Sequence, residues 1–259
     1  MLEMHLRNTT INSIPVLELY REKMEHDRRP IIIILHGFDG SKERKLQHAY
    51  MAAATGSFVV LPDAVRHGER EDSAFAALSY EQKAEFLFDI VEETAGEIPA
   101  ILDHYRQQSF IHSDACGLIG SSMGGMIIYE YLSRFGTDRL RSCGVIISSP
   151  DFGSIIDRNL ENEAYANILP PSEIKRIKAR QPLPAIGQLR DFPLCILSAE
   201  DDPIMPIQPV KNLYSTLHQA YTKKEALKMH TYRNTGHQTT PEMMRESVEW
   251  MHTWLFSDS

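Results

Sequence analysis

Cysteine is scarce in this sequence of 259 residues, and its three cysteines follow no disulfide or metal-binding pattern. Cys116, Cys143 and Cys195 each lie in a short apolar stretch, and no two of them form a C-x-x-C pair. An odd number of cysteines without such spacing argues against a disulfide framework and against a zinc site. We therefore expect three small buried side chains and no metal ion.

Long apolar runs are missing as well. The longest run, Ile31 to Leu35, has the length of a strand, whereas a helix that crosses a bilayer needs about 20 apolar residues. The first residues, MLEMHLRNTTINSIPVLEL, lack the basic stretch and the apolar core of a signal peptide. We expect a cytoplasmic protein that has no membrane partner.

An excess of positive charge is the third absence. Asp and Glu number 35 against 27 Lys and Arg, which gives a formal net charge of −8. On average such a surface repels the phosphate backbone of nucleic acids. The composition therefore predicts that the protein has no nucleic-acid partner.

Short apolar runs alternate with helix-like segments along most of the chain, and no linker rich in Gly or Ser divides it. Strands that are buried on both faces of a parallel sheet give such continuous apolar runs. The sequence therefore predicts a single α/β domain over residues 1–259, with a mostly parallel central sheet and helices on both faces. The expected strands are 14–21, 31–36, 57–62, 116–120, 143–148, 192–198 and 226–232. The expected helices are 42–55, 80–108, 123–135 and 241–255.

Residues 150–191 depart from this alternation. They contain two pairs of prolines with a basic helix-like segment, SEIKRIKAR, between the pairs. Long connections inside compact domains are commonly functional. We expect a small lid insertion between two strands, and the alternative is an ordinary long crossover that covers the sheet.

Residues 120–124, GSSMG, fit the pattern G-x-S-x-G and stand between a strand-like run and a helix-like run. In that pattern a tight turn holds the central serine in a strained conformation with its hydroxyl group exposed. The start of the helix then places backbone N–H groups near the reacting oxygen. Ser122 is therefore a candidate nucleophile. The alternative is a turn whose glycines only allow the helix and the strand to pack closely.

A serine nucleophile needs a general base, which a carboxylate orients. Among eleven histidines, His237 lies in the stretch NTGHQTT before the final helix, and strand-end loops of this kind present catalytic groups. The stretch SAEDDPIMP follows a strand and offers Glu200, Asp201 and Asp202. Serine, acid and histidine thus occur in an order that a catalytic triad can have, while the choice among the three acids stays open.

With these motifs the chain resembles the α/β-hydrolase superfamily along nearly its full length. Within it, the chain is most similar to small bacterial esterases near the dienelactone-hydrolase and prolyl-oligopeptidase branches. The triad acid of the superfamily often lies in D-x-x-(V/I/M)-P, and residues 202–206, DPIMP, match that pattern. The resemblance therefore implies a triad of Ser122, Asp202 and His237. Other members have the acid after the preceding strand, where Asp151 is the reserve candidate.

Two further loops contribute to the resemblance. HGFDGSKE, at 36–43, is similar to the oxyanion loop of the superfamily, which implies that the backbone N–H groups of Phe38 and Met123 bind the oxyanion. LPDAVRHGER, at 61–70, is similar to the loop after the next strand.

His36, Arg66 and His67 in these loops are candidates for contacts with the substrate. A structural role is the alternative for all three. His36 would then support its own loop, and Arg66 and His67 would anchor theirs together with Arg70.

The resemblance does not extend to every property of these branches. Dienelactone hydrolases use a cysteine nucleophile where this chain has Ser122, and the oligopeptidases carry a propeller domain for which 259 residues leave no room. We expect a serine hydrolase that cleaves a small carboxylic ester through an acyl-enzyme, with a small-molecule ester as its partner and with no cofactor. The alternatives are a thioesterase, an amide or small-peptide hydrolase, and a non-catalytic ligand-binding protein on the same fold. The sequence does not predict the oligomeric state.

Overall fold

The computed structural model describes residues 3–21, 28–161 and 168–257, and within them it shows one eight-stranded sheet. The strands are β1 (Met4–Ile11), β2 (Ile14–Arg21), β3 (Arg29–Leu35), β4 (Phe58–Pro62), β5 (Ile111–Ser121), β6 (Ser142–Ile146), β7 (Leu194–Ala199) and β8 (Leu227–Tyr232). Their order across the sheet is β1-β2-β4-β3-β5-β6-β7-β8. β1 and β2 pair antiparallel, β2 pairs antiparallel with β4, and the other neighbours pair in parallel. The predicted mostly parallel sheet is thus present.

Helices cover both faces of this sheet. The described α-helices are α1 (Leu46–Ala54), α2 (Ser73–Ala76), α3 (Tyr80–Ala84), α4 (Leu87–Arg106), α5 (Met123–Phe135), α6 (Phe152–Leu160), α7 (Pro171–Arg180), α8 (Leu183–Ile186), α9 (Ile207–Ala220) and α10 (Pro241–Leu255). Helices α1 and α10 pack on one face, and α4, α5, α6 and α9 pack on the other. None of the helices in the described part combines the length and the apolarity that a bilayer crossing requires.

Strand β3 shows why the buried strands read as unbroken apolar runs. Ile31 and Ile33 belong to the core on one face, and Ile32 and Ile34 belong to the core on the other. Successive side chains of a strand point to opposite faces, so a strand covered on both sides needs an apolar residue at every position. Each of these four side chains is at most 1% exposed, and burial of one such side chain stabilises the fold by about 1.5–3 kcal/mol.

Strand β1 was not predicted from the sequence. It forms a hairpin with β2 through a two-residue turn, in which Asn12 and Ser13 have φ of +47° and +69°. Two positive φ values are the requirement of a type I′ turn. β1 lies at the edge of the sheet and most of its side chains are exposed. Its sequence, MHLRNTTI, therefore lacks the apolar pattern of the buried strands.

The helix expected over 42–55 begins with a 3-10 turn, Lys42–Lys45, and becomes α-helical only in α1. The cause is the side chain of Asp63, at the end of β4. Its carboxylate accepts hydrogen bonds from the backbone N–H of Lys42 and from Nζ of the same residue. Both side chains are fully buried, so this ion pair fixes the first turn before the helix starts. The helix expected over 80–108 is also divided, into α3 and α4.

Residues 150–191 contain α6, α7 and α8 and connect β6 to β7, while 162–167 lie outside the described residues. The Arg176 guanidinium of α7 pairs with Asp89 and Glu92 of α4. Single exposed pairs contribute little, but several charges around one guanidinium form a network that joins this segment to the main helical layer.

All three cysteines are free and buried, as predicted. Burial raises the pKa of the Cys116 thiol to about 12, and it raises the pKa of Cys143 and Cys195 too. No group of three or more His, Cys, Asp or Glu side chains in the described ranges is arranged to hold a metal ion.

Candidate active site

Ser122 lies in the turn between β5 and α5, with φ of +55° and ψ of −119°. Residues other than glycine avoid positive φ because of steric clashes, so this backbone is strained. The glycines on either side explain how the turn fits. A Cβ atom on Gly120 would lie 2.2 Å from the carbonyl oxygen of Gly124, and a Cβ atom on Gly124 would lie 2.4 Å from that of Leu35. Strand, turn and helix therefore approach one another more closely than a residue with a side chain would allow.

Ser122, His237 and Asp202, which lie far apart in the sequence, form one chain of hydrogen bonds. The Ser122 hydroxyl group is 2.8 Å from Nε2 of His237, and Nδ1 of His237 is 2.8 Å from Oδ2 of Asp202. In this arrangement Nδ1–H donates to the carboxylate and Nε2 is free to accept the serine proton. The His237 side chain is 17% exposed and that of Asp202 is 2% exposed, so the base faces the surface and the acid is behind it.

The Asp202 carboxylate is held by the backbone as well as by His237. Its Oδ1 accepts hydrogen bonds from the N–H groups of Ile204 and Met205, at 2.8 and 2.9 Å. One oxygen therefore fixes the loop after β7 and the other orients the histidine. The two loops are also joined directly, because the N–H of Asp201 donates to the carbonyl oxygen of Thr235.

Asp151, the reserve candidate for the triad acid, has a different environment. Its carboxylate accepts hydrogen bonds from the N–H and the hydroxyl group of Ser154, at 2.9 and 2.7 Å. Asp151 is therefore the N-cap of α6. The structure pairs His237 with Asp202 and not with Asp151.

Phe38 and Met123, whose amides are the predicted oxyanion donors, both belong to backbone next to Ser122. A Cβ atom on Gly37 would be 3.5 Å from Cβ of Ser122, so the turn that contains Phe38 is directly beside the serine. The next amide, Asp39 N–H, donates to Nε2 of His67. Neither Phe38 N–H nor Met123 N–H has a hydrogen-bond partner within the described residues. Both donors are thus available to an oxygen atom near Ser122.

His36 and His67 hold the backbone of these loops. His36 is 1% exposed, its Nδ1 bonds to the carbonyl oxygen of Gly37, and its Nε2 accepts from the N–H of Ala64. Burial lowers the pKa of His36 to about 4, and burial also lowers the pKa of His67. Both imidazoles are therefore neutral near pH 7, and both use their ring nitrogens within the protein.

Arg66 and Arg70 also contact protein groups. The Arg66 guanidinium lies over the ring of Phe86, 4.4 Å from its centroid, as in a cation–π contact. Arg70 forms two hydrogen bonds of 2.7 Å with the carboxylate of Glu97. The structure places none of His36, Arg66 and His67 on the wall of the cavity next to Ser122.

A cavity of about 290 Å³ opens beside Ser122 and His237. Its wall is mostly apolar and includes Phe38, Tyr80, Leu87, Met126, Ile155 and Ile204. A small apolar cavity with a few convergent polar groups is typical of a site for a small organic molecule.

Two side chains near this centre were not predicted from the sequence. Lys45 donates a hydrogen bond to Ser121, and Arg158 of α6 lines the cavity. Both residues lie in stretches rich in charged residues, and such stretches are usually solvated. The sequence therefore carried no signal for either position.

The sequence profile of the prolyl oligopeptidase family matches residues 48–258. YitV of Bacillus subtilis (strain 168), whose name proposes an esterase, is 26% identical over 258 residues, which cover 96% of this chain and 99% of that protein. Esterase YjfP of Escherichia coli (strain K12) is 25% identical over 264 residues, which cover 96% of this chain and 99% of that protein.

Among solved structures, TT1662 from Thermus thermophilus superposes with a TM-score of 0.78. The superposition covers 99% of this chain and 100% of TT1662, and the two sequences are 20% identical. Together with the family match, this likeness confirms the predicted α/β-hydrolase fold.

Proposed function

This chain belongs to the prolyl oligopeptidase family of serine hydrolases, and from that premise we propose that it cleaves small carboxylic esters with Ser122, His237 and Asp202. The observation that carries the proposal is the hydrogen-bonded chain from Asp202 through His237 to Ser122, at the wall of an apolar cavity. Nucleophile, base and orienting acid thus have the contacts that acyl transfer needs.

The first half of the reaction acylates the enzyme. Oγ of Ser122 attacks the acyl carbon of the ester, while Nε2 of His237 takes the hydroxyl proton. The new C–O bond forms as the carbonyl π electrons move to oxygen, and the Asp202 carboxylate stabilises the imidazolium ion. The bond to the alcohol then breaks, and the departing alkoxide takes the proton from Nε2.

The Phe38 and Met123 amides stabilise the negative charge on the carbonyl oxygen. The support is that both N–H groups lack partners in the described structure, that Met123 directly follows Ser122, and that the turn with Phe38 lies beside the serine. Donors that are in position before the reaction need not reorganise as the charge develops. Loss of one such donor typically raises the activation free energy by about 3–4 kcal/mol.

The second half of the reaction releases the acid. His237 removes a proton from a water molecule, and the resulting hydroxide attacks the acyl carbon of the ester on Ser122. The tetrahedral intermediate expels the Ser122 oxygen, which takes the proton back from Nε2. These steps use side chains and backbone amides of this chain alone.

The choice of an ester rests on the relatives. YitV and YjfP carry esterase names and match this chain over nearly its full length. The description of the family, prolyl oligopeptidase, favours a peptide or amide bond instead. Hydrolysis of a small amide or peptide at the same site is therefore the second candidate function.

We further propose that residues 150–191 act as the lid predicted from the sequence, within a single domain. The support comes from α6, because Ile155, Arg158 and Asn159 of this helix line the cavity. In this role the insertion shapes the pocket and restricts the acyl or alcohol group that enters it.

The test is hydrolysis of 4-nitrophenyl esters from acetate to decanoate by the wild type and by Ser122→Ala. We expect the variant to lose at least about 1000-fold in kcat, and the chain-length profile of the wild type to show the size of the pocket. A serine-directed fluorophosphonate should label the wild type on Ser122, as located by peptide mass spectrometry. Ser121, in the same peptide, is the internal control and should stay unlabelled.

Matched substrates separate the candidate functions. An ester, a thioester and an amide with the same acyl group differ only in the atom that leaves. We expect the ester to be cleaved with the highest kcat/KM. A higher value for the amide would favour the second candidate, and equal ester hydrolysis by wild type and Ser122→Ala would refute the assignment of the nucleophile.

A further inference from the structure

The wall of the active-site cavity carries one feature that ester hydrolysis itself does not require. Of the described side chains that line the cavity, Arg158 alone is positively charged at every relevant pH, and the wall contains no carboxylate. An arginine side chain does not lose its proton in proteins. A cation in a mostly apolar cavity is the kind of group that selects a charged ligand.

The Arg158 side chain is exposed, and no described residue neutralises its guanidinium group. Its Nη1 donates to the carbonyl oxygen of Pro203 at 3.3 Å, and no carboxylate of the described residues pairs with it. The acid next to it in the sequence, Asp157, pairs instead with Lys178 of α7. A guanidinium has five N–H donors in a planar fork, so most of these donors stay available to a ligand.

The contact with Pro203 gives Arg158 a defined place. Pro203 follows Asp202 directly, and Asp202 holds His237. An arginine in the last turn of a helix also interacts favourably with the helix dipole, but that interaction does not explain the bond to a loop of the active site. The contact connects this exposed guanidinium to the rim of the cavity that Ser122 and His237 also line.

Other arginines near this face have partners. Arg70 pairs with Glu97, and Arg176 pairs with Asp89 and Glu92. Arg158 differs from them because no carboxylate of the described residues pairs with it.

We propose that Arg158 binds a carboxylate of the substrate, so that the preferred esters carry a second, anionic group separated from the ester by a short apolar segment. The apolar wall would contact that segment, and the planar fork would donate hydrogen bonds to both carboxylate oxygens. This inference rests on the proposed esterase function, and it adds the substrate class.

Two pairs of esters test the proposal. On the acid side, 4-nitrophenyl monoadipate is compared with 4-nitrophenyl hexanoate, which has a methyl group in place of the carboxylate. On the alcohol side, 4-carboxyphenyl hexanoate is compared with its methyl ester. The measured quantity is the ratio of kcat/KM for the anionic and the neutral member of each pair, in wild type and in Arg158→Gln.

For one of the two pairs we expect Arg158→Gln to lower this ratio about 5- to 20-fold, and the neutral esters to change less than 2-fold. Arg158→Lys keeps the positive charge but lacks the planar fork. Its ratio of kcat/KM should therefore lie between those of the wild type and Arg158→Gln. Arg190→Gln is the matched control, because Arg190 is exposed and bonds to the carbonyl oxygen of Leu189. It should leave both ratios unchanged.

A binding measurement keeps this inference separate from the proposed function. Titration calorimetry with adipate requires no turnover, and adipate should bind to the wild type more tightly than to Arg158→Gln. Arg158-dependent binding of adipate by a wild type that hydrolyses no ester would reject the esterase and keep the carboxylate site. Unchanged ratios for both pairs, or an equal fall for neutral and anionic esters, would overturn the role of Arg158.

Discussion

The ammonium group of Lys45 lies 2.5 Å from the hydroxyl oxygen of Ser121, the residue directly before Ser122. Lys45 ends the 3-10 turn that follows the loop after β3, so this hydrogen bond joins that loop to the turn that carries the serine nucleophile. No carboxylate of the described residues pairs with Lys45. Burial lowers the pKa values of its neighbours His36 and His48 to about 4 and about 3, so both are neutral near pH 7.

The first prediction concerns stability at alkaline pH. Burial lowers the pKa of Lys45 to about 8 in the folded protein, whereas a lysine in the unfolded chain has a pKa of about 10.4. Between these values the unfolded state binds more protons, so the free energy of unfolding rises with pH. From pH 7 to pH 10 we expect the wild type to gain roughly 2 kcal/mol relative to Lys45→Met.

Lys45→Arg is the control for this prediction, because a guanidinium keeps its proton throughout this range. Urea denaturation at pH 7, 8.5 and 10 measures the free energy of unfolding of all three proteins. The difference between Lys45→Arg and Lys45→Met should not vary with pH. If the wild type shows no relative gain over Lys45→Met, Lys45 has an ordinary pKa in the folded state.

How much the sequence predicted depended on where each residue is buried. The central strands and the turn around Ser122 were predictable, because double-sided burial and the glycine contacts restrict the residue types. The choice of Asp202 over its acidic neighbours rested on the resemblance, since all three acids follow the same strand. In the structure the backbone N–H groups of Ile204 and Met205 donate to Oδ1 of Asp202. These contacts distinguish Asp202 from its acidic neighbours.

The features that were not predicted lie in stretches whose polar and charged residues are typical of exposed segments. β1 is an edge strand with mostly exposed side chains. Lys45 lies in the stretch SKERK, where nothing distinguishes the two lysines that turn inward, Lys42 and Lys45, from the exposed charges between them. Such side chains are positioned by contacts with distant residues, in the case of Lys45 with Ser121, and a single sequence does not reveal those contacts.

The second prediction separates the two candidate acids of the triad. Asp202→Asn keeps the shape of the side chain but removes the charge that orients His237, so kcat for an ester should fall about 10³- to 10⁴-fold. Asp151→Asn is the matched control. Asp151 caps α6, and Asn is as good a cap as Asp, so kcat should stay within a few-fold. The opposite pattern would assign the triad acid to Asp151.

The third prediction concerns acid stability. His48 is fully buried, its Nε2 is 2.9 Å from the Ser247 hydroxyl group, and burial lowers its pKa to about 3. A histidine in the unfolded chain has a pKa of about 6.5, so below that pH the unfolded state binds the extra proton and stability falls. From pH 7.5 to pH 4.5 we expect the wild type to lose roughly 2–3 kcal/mol relative to His48→Gln.

Chemical denaturation across this pH range measures that loss. His104→Gln, at an exposed position of α4, controls for the general effect of replacing a histidine. If the free energy of unfolding changes with pH in the same way for the wild type and His48→Gln, the pKa of His48 is not lowered by burial.

The fourth prediction tests the packing that holds Ser122 in place. In Gly124→Ala the new Cβ atom would lie 2.4 Å from the carbonyl oxygen of Leu35 and 2.8 Å from that of His36, both of them backbone atoms. Helix α5 must therefore move away from β3, which should cost about 2–3 kcal/mol of stability. The same movement separates the Met123 amide from the loop that carries Phe38, so ester hydrolysis should fall more than 10-fold.

Gly187→Ala is the matched control for this substitution. Gly187 ends α8 with φ of −62°, and its nearest contact would be 3.4 Å away, so alanine fits there without strain. Fewer conformations of the unfolded chain should make this variant equally stable or up to about 1 kcal/mol more stable. Thermal unfolding and kcat/KM are measured for both variants. Full activity in a folded Gly124→Ala protein would show that the close approach of α5 to β3 does not position the Ser122 turn.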